Sequence, residues 1–372
     1  MYFDLNDEQR QIKETARDFL ADRYKSERIR ELAETERGFE DADWQEMAGL
    51  GWIGLAIPEQ WGGQGLGAVE LAAVFEEMGY ALAPSPLLSN TVAGLALALC
   101  GSDEQRERYL RPLAEGTSRG TIAVIDAGAP ALLNRFTMEA RSSGDGVVLD
   151  GEKVLVMDAG AADFLVVPTA DGARHIVEPG EDGVTISAEP SIDLTRKHYA
   201  VRLENVVVPP ERTLPADPEE YLPVFGRMCV MLAAELTGIA QRTMEMAVQY
   251  AGERQQFGRP IGSYQAVSHR CAQMMLEVEG ARSATYYAAW AADNEPETLP
   301  LAASMAKAYA SDAGWRVSAS SLQVHGGIGF TWEHDLHLWL KRARADGAAA
   351  GDARFHRDLV ADLVLAAEPV AV

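Results

Sequence analysis

Cysteine is scarce in this sequence. Cys100, Cys229 and Cys271 are the three in 372 residues, an odd number with no C-x-x-C spacing. That excludes a disulfide framework and a cysteine-based zinc site, and it points to a reducing, cytoplasmic setting. Long apolar runs are missing as well. No uninterrupted stretch of about 18 apolar residues occurs, so nothing is expected to span a membrane. The N-terminus, Met1-Tyr-Phe-Asp-Leu-Asn-Asp-Glu8, is acidic and lacks the apolar region of a signal peptide. Positive charge is in deficit: 33 Lys and Arg stand against 56 Asp and Glu, a formal net charge of −23. Such an excess argues against non-specific binding to nucleic acid or to anionic membranes. An anionic ligand would need locally placed Arg or Lys. His269, His325, His334, His337 and His356 form no H-E-x-x-H or comparable metal set, and Ser89, Ser263 and Ser268 lack a G-x-S-x-G context.

What is present is enough apolar material, 47% of the residues, for a sizeable core and a length suited to two or three domains. Residues 6–116 read as helices. Asp7 to Leu20 carries Ile12, Ala16, Phe19 and Leu20 at helical spacing, and Ala68–Ala83 and Thr91–Leu99 read as buried helices. Ser102-Asp-Glu-Gln105 has the composition of a helix start. The character changes near residue 118. Thr121–Ile125, Gly146–Leu149, Lys153–Met157, Phe164–Pro168 and Tyr199–Val208 are short β-rich runs separated by Gly, Asp and Pro. Helical periodicity returns over 219–251, 264–292, 298–322 and 334–365. The spacing therefore predicts three segments: an all-α domain (1–117), a central β domain (118–218) and a helical domain (219–372).

Two short motifs carry the functional signal. Arg254-Gln-Gln-Phe257-Gly258-Arg-Pro-Ile261 follows one helical stretch, and Gln323-Val-His-Gly326-Gly327-Ile-Gly329-Phe330 follows another. Each joins a charge or an amide to glycine. Arg offers a planar donor fork for phosphate oxygens, and glycine lets backbone N–H groups approach closely. A third stretch, Gly51-Trp52-Ile-Gly54-Leu-Ala-Ile-Pro58-Glu59 followed by Gly62-Gly63, lies in the N-terminal segment. Lys341-Arg342-Ala-Arg344 reads as a solvated basic helix face, and Asp335 as a helix N-cap.

In these three stretches and in their order the sequence resembles the acyl-CoA dehydrogenase family, over essentially its whole length. The resemblance implies an α+β architecture: an N-terminal helical domain, a central β domain and a C-terminal four-helix bundle. It also implies a tetrameric assembly with FAD as cofactor. Arg254 would neutralise pyrophosphate charge and Phe257 would pack on the cofactor. Gln323 and the backbone at Gly326 and Gly327 would hold its adenosine end. Gln256, Ile261, Tyr264 and Val324 complete the implied cofactor set.

The sequence departs from the family where the chemistry is done. The family base is a Glu some two dozen residues after the first Gly of the Gly-Gly motif. Twenty-four residues on from Gly326 stands Ala350, which cannot accept a proton. The alternative family position, 26 residues before Arg254, is Met228. Glu235 lies seven residues further along that helix, about 10 Å along its axis, and is a candidate for a displaced base; Asp352 is another. The stretch that usually touches the flavin ring reads Ala123-Val-Ile-Asp126-Ala-Gly128-Ala-Pro-Ala131. In the next strand, Leu155 replaces a ring-flanking Trp and Met157 replaces a Thr that bonds near N5. Leu155 and Met157 read as core residues of that strand.

Residues offered to a neighbour's FAD are thus kept, and those serving a subunit's own flavin ring are altered. This resembles the smaller subunit of bacterial α2β2 acyl-CoA dehydrogenases, some of which take steroid side-chain CoA esters. The implied partners are an acyl-CoA substrate, a homologous subunit and an electron-transfer flavoprotein. Two alternatives stay open: a self-sufficient homotetramer using Glu235, and a flavin-free acyl-CoA-binding scaffold.

Overall fold

Helical periodicity at both ends and strand alternation between them give the expected α–β–α order. The computed structural model describes residues 5–129, 136–144, 146–215 and 217–366. In chain order its helices are α1 (Asp7–Arg23), α2 (Ser26–Glu34), α3 (Asp41–Gly49), α4 (Ala68–Ala81), α5 (Leu87–Cys100), α6 (Asp103–Gln105), α7 (Arg111–Ala114), α8 (Leu222–Glu253), α9 (Gln265–Asn294), α10 (Leu299–His325), α11 (Leu336–Ala348) and α12 (Ala353–Ala366). The strands are β1 (Gly120–Ile122), β2 (Ile125–Asp126), β3 (Ala140–Ser143), β4 (Gly146–Met157), β5 (Phe164–Pro168), β6 (Arg174–Val177), β7 (Val184–Glu189), β8 (His198–Val208), β9 (Gln255–Gln256) and β10 (Arg259–Pro260). They pack into two compact units. One takes Met1–Ile29, Ala68–Ala83 and Gly226–Val372, and the other Arg30–Gly67 and Pro84–Phe225.

In the first unit, α4 crosses α8 at glycines. A Cβ on Gly79 would lie 2.1 Å from the Glu235 carbonyl oxygen, and one on Gly238 would lie 1.9 Å from that of Glu76. Glycine alone permits this approach. Glu76 and Glu77 are buried on α4, and cations from two other helices reach them. Lys13 Nζ lies 2.5 Å and Arg282 Nε 3.0 Å from Glu76, and Arg17 Nε lies 2.7 Å from Glu77. Burial pushes the Glu76 carboxyl up, but Lys13 and Arg282 outweigh it and hold the group below the usual carboxylate range. For Glu77 burial wins over Arg17, and its carboxyl lies above that range. Helices α8, α9, α10, α11 and α12 make up the bundle. Ala240, Ala247, Met274, Val278 and Val317 form one of its cores.

In the second unit, α5 packs on β1. β1, β5 and β6 form one sheet, with β1 parallel to β5; a second, antiparallel sheet runs β2-β4-β8-β7, with β3 also on β4. Leu149, Val156, Leu165, Val167, Val201 and Leu203 bring both sheets onto one core.

Several boundaries differ from the sequence reading. The runs at 146–149 and 153–157 are one strand, β4, which continues through a bulge at Gly151 (φ +146°). β3, β6 and β7 fall outside the expected runs: β3 alternates weakly and β6 begins with charge, while β7 alternates cleanly as Val-Thr-Ile-Ser and was missed. The helix expected over 334–365 breaks at 349–352 into α11 and α12. At α11, Asp335 occupies the N-cap position without a side-chain capping bond; the His334 Nδ1 accepts from the Leu336 N–H instead, at 3.1 Å. Ser102 does open α6 with a capping box, its Oγ accepting from Gln105 N at 3.3 Å. Arg342 of the expected solvated face is 1% exposed. The segment Glu219–Glu253, which includes α8, is long and apolar enough to cross a membrane by length and composition, yet it is mostly buried.

Candidate functional site

The Arg254 motif forms where α8 ends. β9 and β10 pair as a minimal hairpin, Gln256 opposite Arg259, around a two-residue turn of Phe257 and Gly258. Both turn residues have positive φ, +53° and +81°. That matches the twist of the hairpin but is costly for Phe. The turn holds the Phe257 ring 93% exposed. Tyr264 braces the hairpin: its hydroxyl donates to Gln256 O at 3.1 Å, and the Arg259 guanidinium lies 4.0 Å from its ring centroid. Arg254 is exposed, and among the described residues its guanidinium has no partner in this chain.

The second motif ends α10. Gln323 is exposed on the last turn, and Gly326 follows at φ +65°, ψ −139°, a conformation open to glycine. A Cβ on Gly326 or on Gly327 would meet nothing within 4 Å, so this backbone faces open space. The fold brings the two motifs together. Val324 and Ile261 pack on the same core cluster, and Tyr250 of α8 stacks on His325 at 4.7 Å between ring centroids. Val324 is 8% exposed, so it supports the motif from within. The result is a surface with a free guanidinium, an exposed amide, an exposed aromatic ring and open glycine backbone. Such a surface suits a phosphate-bearing aromatic ligand.

The two base positions are also neighbours. Met228 is half-buried on α8. The next residue, Cys229, lies with its Sγ 4.0 Å from His356 Nε2, and that nitrogen donates to the Ala350 carbonyl at 2.9 Å. Asp352, the other stand-in, accepts from Phe355 N at 2.9 Å and so caps α12. Glu235 is 1% exposed, on the stretch of α8 that meets Gly79.

In the β domain, Leu155 is no core residue. It sits in a bulge of β4 at φ +54°, half exposed, and its N–H donates to Glu189 Oε2 at 2.6 Å. Met157 is half-buried, and its carbonyl accepts from Thr121 Oγ1 at 2.7 Å. Asp126 pairs with the buried Lys153 at 2.7 Å. Gly128 has φ +74°. Pro130 and Ala131 of the same stretch lie outside the described residues.

Residues 6–117 match the acyl-CoA dehydrogenase N-terminal domain, and residues 224–365 match the acyl-CoA dehydrogenase C-terminal domain. The chain belongs to the acyl-CoA dehydrogenase family. Acyl-CoA dehydrogenase IpdE2 of Mycolicibacterium smegmatis is 31% identical over 351 residues, 94% of this chain and 96% of that protein. The probable acyl-CoA dehydrogenase YngJ of Bacillus subtilis is 30% identical, covering 98% of this chain and 100% of that protein. Among solved structures, the ChsE4–ChsE5 complex of Mycobacterium tuberculosis contains a chain with TM-score 0.92 and 27% identity, matched over 99% of this chain and 100% of that one. A chain from a variant of the Tcur3481–Tcur3483 steroid ACAD follows with TM-score 0.88 and 30% identity, over 96% and 98%.

Membership makes this chain part of a family of FAD-dependent oxidoreductases acting on CH–CH bonds. Its residues fit that cofactor unevenly. Arg254, Gln323 and the open Gly326–Gly327 backbone suit the pyrophosphate and adenosine portion. Leu155 and Met157 carry no side-chain hydroxyl or indole, and the Leu155 N–H is already taken by Glu189. Two residues that shape these positions, Lys307 and Glu189, escaped the sequence reading, and His356 was read there only as part of no metal set. The signal for Lys307 is there to be read. It shares a helical face with Ala303, Ala310 and Gly314, all buried.

Proposed function

We propose that this acyl-CoA dehydrogenase chain acts as the supporting subunit of an α2β2 complex and completes the FAD site of a homologous partner. One observation carries the reading. The surface suited to the adenosine and pyrophosphate end is formed and exposed, whereas both base positions hold residues that cannot take a proton, Ala350 and Met228. FAD, when bound, supplies the hydride acceptor for α,β-dehydrogenation of an acyl-CoA. In this reading Arg254 places positive charge against the pyrophosphate, Phe257 covers the cofactor and Gln323 holds the adenosine end. Proton abstraction falls to the partner's carboxylate, and electrons leave through an electron-transfer flavoprotein. The likeness to chains of the ChsE4–ChsE5 complex and of a steroid ACAD supports a two-subunit assembly and a bulky acyl group. The burial of Glu235 at a helix crossing gives no support to a displaced base.

Arg254→Ala tests the reading. In the co-purified complex it should lower FAD retention after dialysis at least several-fold while the subunits stay associated. Unchanged flavin stoichiometry would count against it.

A further inference from the structure

The turn between α11 and α12 is held from beneath by two buried donors that the function above does not use. Lys307 of α10 is 0% exposed. Its Nζ donates to Ser311 Oγ at 3.1 Å, to Gly347 O at 3.2 Å and to Gly351 O at 3.0 Å. All three partners are neutral. His356 of α12, also 0% exposed, donates from Nε2 to Ala350 O. Two donors from two helices thus take the carbonyl oxygens of Gly347, Ala350 and Gly351. The turn they hold is strained. Ala350 has φ +56° and Gly351 φ +97°, and a Cβ on Gly351 would lie 2.3 Å from the Phe355 ring.

We propose that Lys307 and His356 are positioning residues that fix the 347–351 turn and so hold residue 350, the family's base position, in its left-handed conformation. The assignment rests on the reading that this turn corresponds to the base-bearing turn of the family. A buried ammonium is expensive to desolvate, and neutral partners offset that cost less than a carboxylate would. A methionine of similar length would fill the same space without that cost. What the lysine adds over methionine at this position is its N–H donors to the turn. Burial pulls its amine down to about 8, against the opposing pull of Asp346 and Asp352. Position 350 is alanine in this chain, and the donors beneath it hold its turn in place.

Hydrogen exchange on the full-length chain tests this, comparing wild type with Lys307→Met and Lys307→Gln. In Lys307→Met, amides of the 346–355 peptide should exchange at least ten-fold faster, with peptides of α4 and the middle of α8 unchanged. Lys307→Gln, which keeps N–H donors, should restore most of the protection. Should Lys307→Met fail to fold, His356→Phe against His356→Gln asks the same question from the other donor. Unchanged exchange in the turn, or equal acceleration in every peptide, would overturn the proposal. The readout needs neither flavin nor partner. A failure of the subunit reading would show in FAD content, and a failure of the clamp would show in exchange.

Discussion

Phe257 concentrates the trade between stability and function at a single residue. A left-handed backbone suits Asn or Gly far better than an aromatic residue, and Asn-Gly is the favoured pair for this turn. Phe257→Asn should therefore leave the melting temperature unchanged or raise stability by up to about 1 kcal/mol. It should also weaken FAD retention in the complex, because the exposed ring is lost. Calorimetry and flavin absorbance on one preparation check both halves. His356 makes a second residue-scale prediction. Burial, with Lys307 beside it, pushes its pKa down to about 4, against 6.5 for the free group; Asp352 opposes this, and Cys229 faces it without charge. The unfolded chain then binds the extra proton first as pH falls. Stability from this group is fully present above about pH 6.5 and is lost as pH drops towards 4, by roughly 3 kcal/mol at most. His356→Gln should flatten that part of the stability–pH curve, measured by urea unfolding at pH 7 and pH 4.5. An unaltered slope would refute it.

Among the elements, the crossing of α4 on α8 is the most exacting. Each glycine faces backbone that cannot move aside, so Gly238→Ala or Gly79→Ala should destabilise the chain by about 1–3 kcal/mol or more. Helix propensity alone predicts the opposite sign, since Ala favours helix over Gly by about 1 kcal/mol. A denaturant midpoint shift decides between the two. Element identity was largely legible in the sequence, because amphipathic periods of 3.6 are long and redundant over α8, α9 and α10. What stayed hidden is short-range. The bulge that turns Leu155 outward depends on the pairing of β4 with β8, and the break at 349–352 depends on donors from α10 and α12. The bulge leaves no local pattern, whereas the break leaves a short one, Gly351 past the end of α11 and Asp352 capping α12. The burial of Arg342 likewise follows from packing rather than from composition.

At the scale of the whole molecule, packing does not follow chain order. The N-terminal helical segment divides, with α1 and α4 joining the C-terminal helices and the rest joining the strands. Composition could not reveal this, since each group combines a polar helix, α1 or α2, with an apolar one, α4 or α5. The site was legible in part. Arg254, Phe257, Gln323 and the glycines stood out because glycine and charge are conspicuous against a background of net charge −23. The meaning of Ala350 and Met228 came from family spacing, and the Lys307–His356 clamp became visible only in three dimensions. In the proposed role this chain supports a flavin site it does not own. FAD content per chain tests it most directly, measured by absorbance near 450 nm on the protein alone and co-expressed with a homologous subunit that carries the Glu. A supporting subunit should be colourless alone and give about one flavin for every two chains in the complex. Full occupancy of the protein alone would contradict it.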